Sequence, residues 1–430
     1  MRKYATFPIS ASFKSHLIGW LSKQTTVCFL DSHPTSDYSY PGGVEYDFIV
    51  GIGAQASLFF EEGEDPFEAL SAFHQQHNDW LFGHFNYDLK NSIEQLSSAN
   101  IDELSVPELY FFVPEIVLFA KNNQLSIGTI TSFPEEVFQT ITNTDLLPSS
   151  PFEKTEVHPQ ISHADYIRSV LGLKHHIQIG DIYEVNFCQE FHATVALHSP
   201  LQLWNRLVDK SPTPFSAYYQ FNEHYLMCAS PERFLKKKGQ HLISQPIKGT
   251  IKRGKSPQED EQLKAELLNS EKEKSENVMI VDLVRNDLSR SAQKGTVRVD
   301  ELFGIYTFPQ VHQMISTVSS KLRPEIDFST AIKNAFPMGS MTGAPKVKAM
   351  ELIEHFEATK RGLYSGAVGY ITPDADFDFN VVIRSLQYNS SKKKLSFIVG
   401  GAITALSDPE AEYDESILKA KAILEVLGNA

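Results

Sequence analysis

Lys248 and Glu232 are the two side chains in this sequence best placed for covalent chemistry. Lys248 stands in Gln245-Pro246-Ile247-Lys248-Gly249-Thr250, between two residues with special backbones, and its apolar flank argues for a lysine held still and partly desolvated. Glu232 comes shortly before it, in Ser230-Pro231-Glu232-Arg233-Phe234. A lysine that has lost its proton attacks carbon, and a protonated glutamate helps a hydroxyl leave. Alone, Lys248 reads equally as a solvated residue in a turn after a strand. Its company decides between the two.

Carboxylates recur where a helix should be apolar. Taken as one helix, the segment 260–290 puts Glu273, Glu276, Ile280, Val284 and Asp287 on one face, at steps of three and four. A carboxylate on a buried stripe must be paired, protonated or bound to a cation. The last helix repeats the pattern. Asp408 caps it, Pro409 suits its first turn, and Glu412, Glu415 and Lys419 share an arc beside Ile417, Ala420, Leu424 and Leu427. Two helices that each offer carboxylates at i and i+3 can enclose one hard divalent ion. Mg²⁺ suits such a set, because it takes few protein carboxylates and keeps sites for water or substrate oxygens. Each pair alone also fits a solvated face, with Glu415 and Lys419 as an i, i+4 ion pair.

Three further elements could bind an anion. Pro337 to Lys346 is a glycine-rich loop (Gly339, Thr342 and Gly343 within it) running into a helix, whose free N–H groups suit a carboxylate or phosphate. It is not a Walker A loop, and a plain helix start explains it as well. Arg384 lies in the strand-like Val381-Val382-Ile383-Arg384-Ser385, where an arginine needs an anionic partner. Tyr364 precedes another strand-like run, and Gly400-Gly401-Ala402 ends a third, where small residues let a ligand approach the backbone.

These residues need a large scaffold, and the chain has 430 residues to build one, enough for two domains or one large one. Residues 1–150 read as strands with a few helices, Pro148-Ser149-Ser150-Pro151 and Pro159 as a connector, and 160–427 as a second, mixed region. Ser162 and Asp165 have capping-box form, and Gly180 ends the helix they start. Strands are expected at 182–187, 216–221, 225–229, 366–372, 379–388 and 394–400, and helices at 328–335 and 345–357. Runs of strands mixed with helices imply an α+β fold.

The net charge of −14, with dispersed Lys and Arg, argues against nucleic acid or an anionic membrane as partner but not against an anionic small molecule. Cys28, Cys188 and Cys228 are too few and too scattered for a disulfide framework or a metal-ligand set. With no h-region near Arg2 and Lys3 and no spanning apolar run, the expected location is cytoplasmic.

Six motifs in order resemble the chorismate-utilising enzymes: Ser-Pro-Glu-Arg-Phe at 230–234, Pro-Ile-Lys-Gly-Thr at 246–250, Met-Ile-Val-Asp-Leu-Val-Arg-Asn-Asp-Leu at 279–288, Gly-Ser-Met-Thr-Gly-Ala-Pro-Lys at 339–346, Tyr-Ser-Gly-Ala-Val-Gly-Tyr at 364–370 and Glu-Tyr-Asp-Glu-Ser at 412–416. The resemblance covers 160–427 and extends more loosely to Phe29-Leu30-Asp31-Ser32, which aligns with part of a tryptophan site in relatives, and to Trp80-Leu81-Phe82-Gly83 with Tyr87-Asp88. It implies a large mixed α/β-sandwich, with antiparallel sheets flanked by helices. It also implies a site in which Glu276 and Glu415, with Glu273 and Glu412 nearby, hold Mg²⁺. Tyr364, Arg384, Lys419 and the backbone at Gly400, Gly401 and Ala402 would bind one carboxylate of chorismate, with Gly249, Thr250 and Thr342 around the ring.

Within that family, anthranilate synthases resemble Pro-Ile-Ala-Gly-Thr where this chain has Lys248, whereas aminodeoxychorismate synthases carry the lysine. The resemblance therefore implies amination of chorismate through a covalent lysine, with Glu232 as acid, and a lysine pKa lowered from about 10.4. Glu184 departs from the family, which has Gln in amine-transferring members and Lys in those that add water. It could bind an incoming ammonium, act as a base or pair with Lys248. Gln313 stands where relatives often have His, and His312 beside it should face the other way. No Gly-x-Cys-x-Gly turn is present, so ammonia is expected from a separate glutamine amidotransferase subunit. The competing readings are anthranilate synthase component I and, from another class, a non-catalytic regulatory subunit.

Overall fold

Several apolar runs are too continuous for one-sided strands. Phe48–Ile52, Leu81–Phe85 and Leu109–Val113 are buried at every position, as expected of strands covered on both faces. A computed structural model describes residues 2–34, 40–60, 63–148 and 154–429. In it, these strands belong to a twelve-stranded and a ten-stranded sheet, and every named strand ladder is antiparallel, as in Phe29 opposite Tyr218 or Gly83 opposite Gly369. The α+β sandwich of antiparallel sheets and flanking helices is the architecture the sequence implied.

Side chains alternate between two environments along each strand. Cys28, Ile49 and Val117 from the larger sheet meet Phe82, Phe112 and Val368 from the smaller in one cluster. Their neighbours Val27, Phe29 and Val50 turn the other way, towards Leu17 and Leu21 of helix Phe13–Leu21 and Trp204 of helix Pro200–Lys210. On the smaller sheet, Leu81 and Phe85 turn towards Ile280 and Val284 of helix Glu271–Ser289. Each large apolar side chain so buried contributes about 1.5–3 kcal/mol.

The first 150 residues supply strands to both sheets. Val27–Asp31 pairs with Phe215–Phe221, and Leu81–Phe85 pairs with Ala367–Ile371. Of the expected connector, residues 149–151 lie outside the described residues, while Pro159 sits in the short strand His158–Pro159. Among the described residues no helix is long and apolar enough to cross a membrane.

Two expectations are corrected. The helix expected over 260–290 is two, Pro257–Asn269 and Glu271–Ser289. Ser270 adopts an extended conformation, and its hydroxyl accepts from the Glu273 amide at 3.3 Å, so it caps the second helix instead of continuing the first. The strand expected over 379–388 is also broken. Phe377–Asn380 lies in the smaller sheet and Ser385–Asn389 in the larger. The chain crosses between sheets at 381–384, and Arg384 takes a left-handed φ of 49° at the crossing. Arg384 is therefore not in a strand.

Candidate active site

The site forms where the two sheets converge. Strand Ile247–Lys252 pairs with Val311–Lys321, but the register slips between Ile247 and Thr250, where Gly249 sits at φ 94°. That φ disfavours any side chain, and a Cβ there would crowd Glu273 Oε2 at 3.0 Å, so the position favours glycine. The slip accompanies a buried Lys248, whose Nζ donates to Glu184 Oε1 at 2.7 Å. Glu184 starts strand Glu184–Thr194 of the other sheet, between Gly343–Ala344 and Lys394–Ile403. Of the three roles open to Glu184, pairing with Lys248 is the one this geometry displays.

The lysine's protonation differs from expectation. Burial pushes its ammonium pKa down, but Glu184, Glu276 and Glu232 outweigh burial and hold it above the ordinary 10.5. Sequence reasoning weighed the apolar flank, and it allowed Glu184 as a partner, but not the combined pull of Glu184, Glu276 and Glu232.

Glu232 is buried as well. Burial pushes its carboxyl up to about 7, against the pull of Ser340, Lys248 and the Ile247 amide. Arg233 braces the turn from behind. It forms a two-pronged ion pair with Asp378 at 2.9 and 3.0 Å and lies over the Tyr40 and Phe215 rings.

The two acidic helices face one another across this site. Helix Glu271–Ser289 packs on strand Ile247–Lys252, and helix Pro409–Val426 on strand Lys394–Ile403. Glu276 and Glu412 are buried. Burial raises the pKa of Glu273 and of Glu412, and pushes Glu276 up to about 7, with Glu184 and Glu273 adding like-charge repulsion there. Glu415 is held below the usual range by Lys419 at 2.8 Å and by Lys272, despite its own burial cost. Glu276 Oε1 and Glu184 Oε2 are buried and accept no hydrogen bond among the described residues. As they stand, no three His, Cys, Asp or Glu side chains among the described residues are close enough to hold an ion. Lys272 lies among them instead, 4.0 Å from Glu276 and 3.8 Å from Glu412. The donor set nevertheless fits a hard divalent cation: four carboxylates on two helices, three with raised pKa and one with an orphaned oxygen.

The other expected residues fall in different environments. The Arg384 side chain makes no ion pair or hydrogen bond among the described residues, and burial draws its pKa down. Tyr364 is buried, with its hydroxyl 3.8 Å from Cys188 Sγ. Lys419 donates to the Gly400 carbonyl at 2.9 Å, and a Cβ on Gly401 would meet Glu412 and Lys419 at 3.4 Å. Ala402 pairs with Asn186. Thr250 is exposed opposite Gln313, whose buried Oε1 has no hydrogen-bond partner among the described residues. Thr342 spends its hydroxyl on the Met338 and Gly339 carbonyls of its own turn. His312 faces away, bonded to Asp260 at 2.9 Å, as alternation along a strand requires. Lys346 donates to Asp287 at 2.7 Å and to the Pro337 carbonyl, so it anchors the glycine-rich loop and is not free for a ligand.

Sequence reasoning missed Ser340, which pulls on Glu232, and Lys272. Only for Lys272, in the first turn of an acidic helix, was there a local signal. The segment Phe29–Ser32 behaves separately. Leu30, Asp31 and Ser32 line a cleft between the sheets with Tyr46, Phe215 and Val368, apart from Lys248 and the acidic helices.

A buried lysine with an acid beside it and a cluster of carboxylates thus come together where the two sheets meet. In comparison with known proteins, residues 27–425 match the model of the chorismate binding enzymes, and the chain belongs to that family. It is 33% identical to aminodeoxychorismate synthase component 1 of Bacillus subtilis, covering 89% of this chain and 86% of that one. It is also 33% identical to anthranilate synthase component 1 of Thermus thermophilus, covering 88% of each. A probable chloroplastic aminodeoxychorismate synthase of rice is 36% identical over 82% of this chain, and this chain spans only 37% of its length. The fold matches anthranilate synthase component I from Streptococcus pneumoniae with a TM-score of 0.77 at 24% identity, covering 91% of this chain and 93% of that one.

Proposed function

We propose that this chain aminates chorismate to 4-amino-4-deoxychorismate, the reaction of an aminodeoxychorismate synthase component I, on the route to 4-aminobenzoate and folate. The observation that carries this reading is Lys248. Overall identity leans the same way: aminodeoxychorismate synthases reach 41%, against 33% for an anthranilate synthase component 1. An anthranilate-forming site needs room for ammonia where this chain places a buried lysine paired to Glu184.

In the proposed mechanism, Glu276 and Glu415, with Glu273 and Glu412 close by, hold Mg²⁺. Bound there, the ion would neutralise and orient the ring carboxylate of chorismate. Arg384, unpaired among the described residues, would receive the other carboxylate together with Tyr364, Lys419 and backbone near Gly401. Gly249 and Thr250 border the ring.

Lys248 must first lose a proton, and Glu184, at 2.7 Å, is the base in reach. The neutral amine then attacks C2 as the ring double bonds shift, the C4–O bond breaks, and Glu232 delivers its proton to the departing hydroxyl. Ammonia adds at C4, the C2–N bond to Lys248 breaks, and the surplus proton of the new ammonium returns to Glu232. The ammonia would come from a separate glutamine amidotransferase subunit. The three buried, unpaired cysteines suit a reducing, cytoplasmic setting.

Mass spectrometry of products from chorismate, Mg²⁺ and ammonium tests the reading. 4-Amino-4-deoxychorismate without pyruvate is expected. Anthranilate with pyruvate would overturn it, and chorismate left intact even with an amidotransferase partner present would favour a non-catalytic subunit.

A further inference from the structure

Lys272 is placed against the electrostatics of its own helix. It sits in the first turn of Glu271–Ser289, where the peptide dipoles disfavour a cation. It also precedes Glu276 by four residues, the weaker order for such a pair. Helix stability therefore does not account for its position. What it reaches does. Its ammonium lies 4.0 Å from Glu276 Oε1 on its own helix and 3.8 Å from Glu412 Oε1 on the facing one, beyond hydrogen-bond length to both. Glu276 Oε1 has no other polar partner among the described residues. The side chain is 45% exposed, so its flexible stem has room to swing into solvent.

We propose that Lys272 is an internal counter-cation: it balances Glu276 and Glu412 in the metal-free protein and is displaced when the divalent ion enters. The inference rests on reading these glutamates as the Mg²⁺ ligands. Lys272 keeps the carboxylates of two helices from repelling one another before the ion arrives, and it competes with the ion for the same oxygens. It is a positioning residue, and it weakens metal binding to the free enzyme.

Mn²⁺ binding, followed by electron paramagnetic resonance of the unbound ion without chorismate, tests this on the wild type, Lys272→Gln and Lys272→Arg. Lys272→Gln is expected to bind roughly threefold to tenfold more tightly, as suits a half-exposed, screened charge, and Lys272→Arg to resemble the wild type. In the wild type, acetylation of Lys272 measured by peptide mass spectrometry should rise when Mn²⁺ saturates the site, a readout that needs no variant to fold. Equal or weaker Mn²⁺ binding by Lys272→Gln, or acetylation indifferent to the ion, would overturn the inference alone. No binding by any of the three proteins would overturn the metal site and this inference together.

Discussion

Lys248 and Glu184 join the two sheets: Nζ of the first, on the ten-stranded sheet, donates to Oε1 of the second, on the twelve-stranded sheet, at 2.7 Å. This contact sets the lysine's charge as well as its place. Removing the carboxylate in Glu184→Gln takes away the leading force that raises the lysine's pKa, leaving only Glu276 and Glu232 to oppose burial. The pH at which Lys248 becomes reactive towards an amine reagent should therefore move down relative to the wild type. Labelling of the Lys248 peptide across pH measures this. An unchanged or upward midpoint would contradict the assignment.

Glu232 makes two separable predictions. As the acid for the departing hydroxyl, its replacement in Glu232→Gln should lower kcat by about 10²–10⁴ with a smaller change in KM. Its pKa near 7 also links to stability. Between pH 4.5 and 7 the folded protein holds this proton more tightly than the unfolded chain, so its contribution to stability falls as pH rises through that window. Glu232→Gln cannot lose a proton there. It should melt above the wild type at pH 8, by on the order of 3 kcal/mol at most, and the gap should close towards pH 5. Thermal melts across pH check the sign.

The Asp287–Lys346 pair is buried and structural. Burial pushes Asp287 up to about 6, against the pull of Lys346. Lys346→Ala strands that carboxylate and should cost about 3–5 kcal/mol, while Lys346→Met with Asp287→Asn should recover part of it. Denaturant melts of the single and double variants test this. Equal losses in both would mean that the loop contacts of Lys346, not the charge, carry the stability.

The region 160–427 should not fold alone. Without residues 1–150, strand Phe215–Phe221 loses Val27–Asp31 and strand Ala367–Ile371 loses Leu81–Phe85, which bares an edge in each sheet. Expressed by itself, this region is expected to be insoluble or to lack near-ultraviolet circular dichroism. A soluble fragment with a cooperative melt would contradict the shared-sheet account.

Local periodicity made part of this legible in advance. Glu276, Ile280, Val284 and Asp287 recur at helical spacing, and all four are buried on one helix. Lys248 and Glu232 stood out through residue type and motif. The rest depends on contacts between residues distant in sequence. Neither the Lys248–Glu184 pair nor the shared sheets leave a local pattern. The break at Ser270 turned on one hydroxyl capping Glu273, which an apolar-stripe argument overlooks. Arg384 misled because the apolar run around it belongs to a crossing between two sheets, buried like a strand but not paired as one.

The most direct test of the lysine mechanism is the mass of the protein after mixing with chorismate and Mg²⁺ while ammonia is withheld. The account predicts an adduct of chorismate less water on the Lys248 peptide, absent in Lys248→Ala and discharged as 4-amino-4-deoxychorismate when ammonium is added. An unmodified Lys248 peptide, together with a Lys248→Ala enzyme that still aminates chorismate, would contradict it.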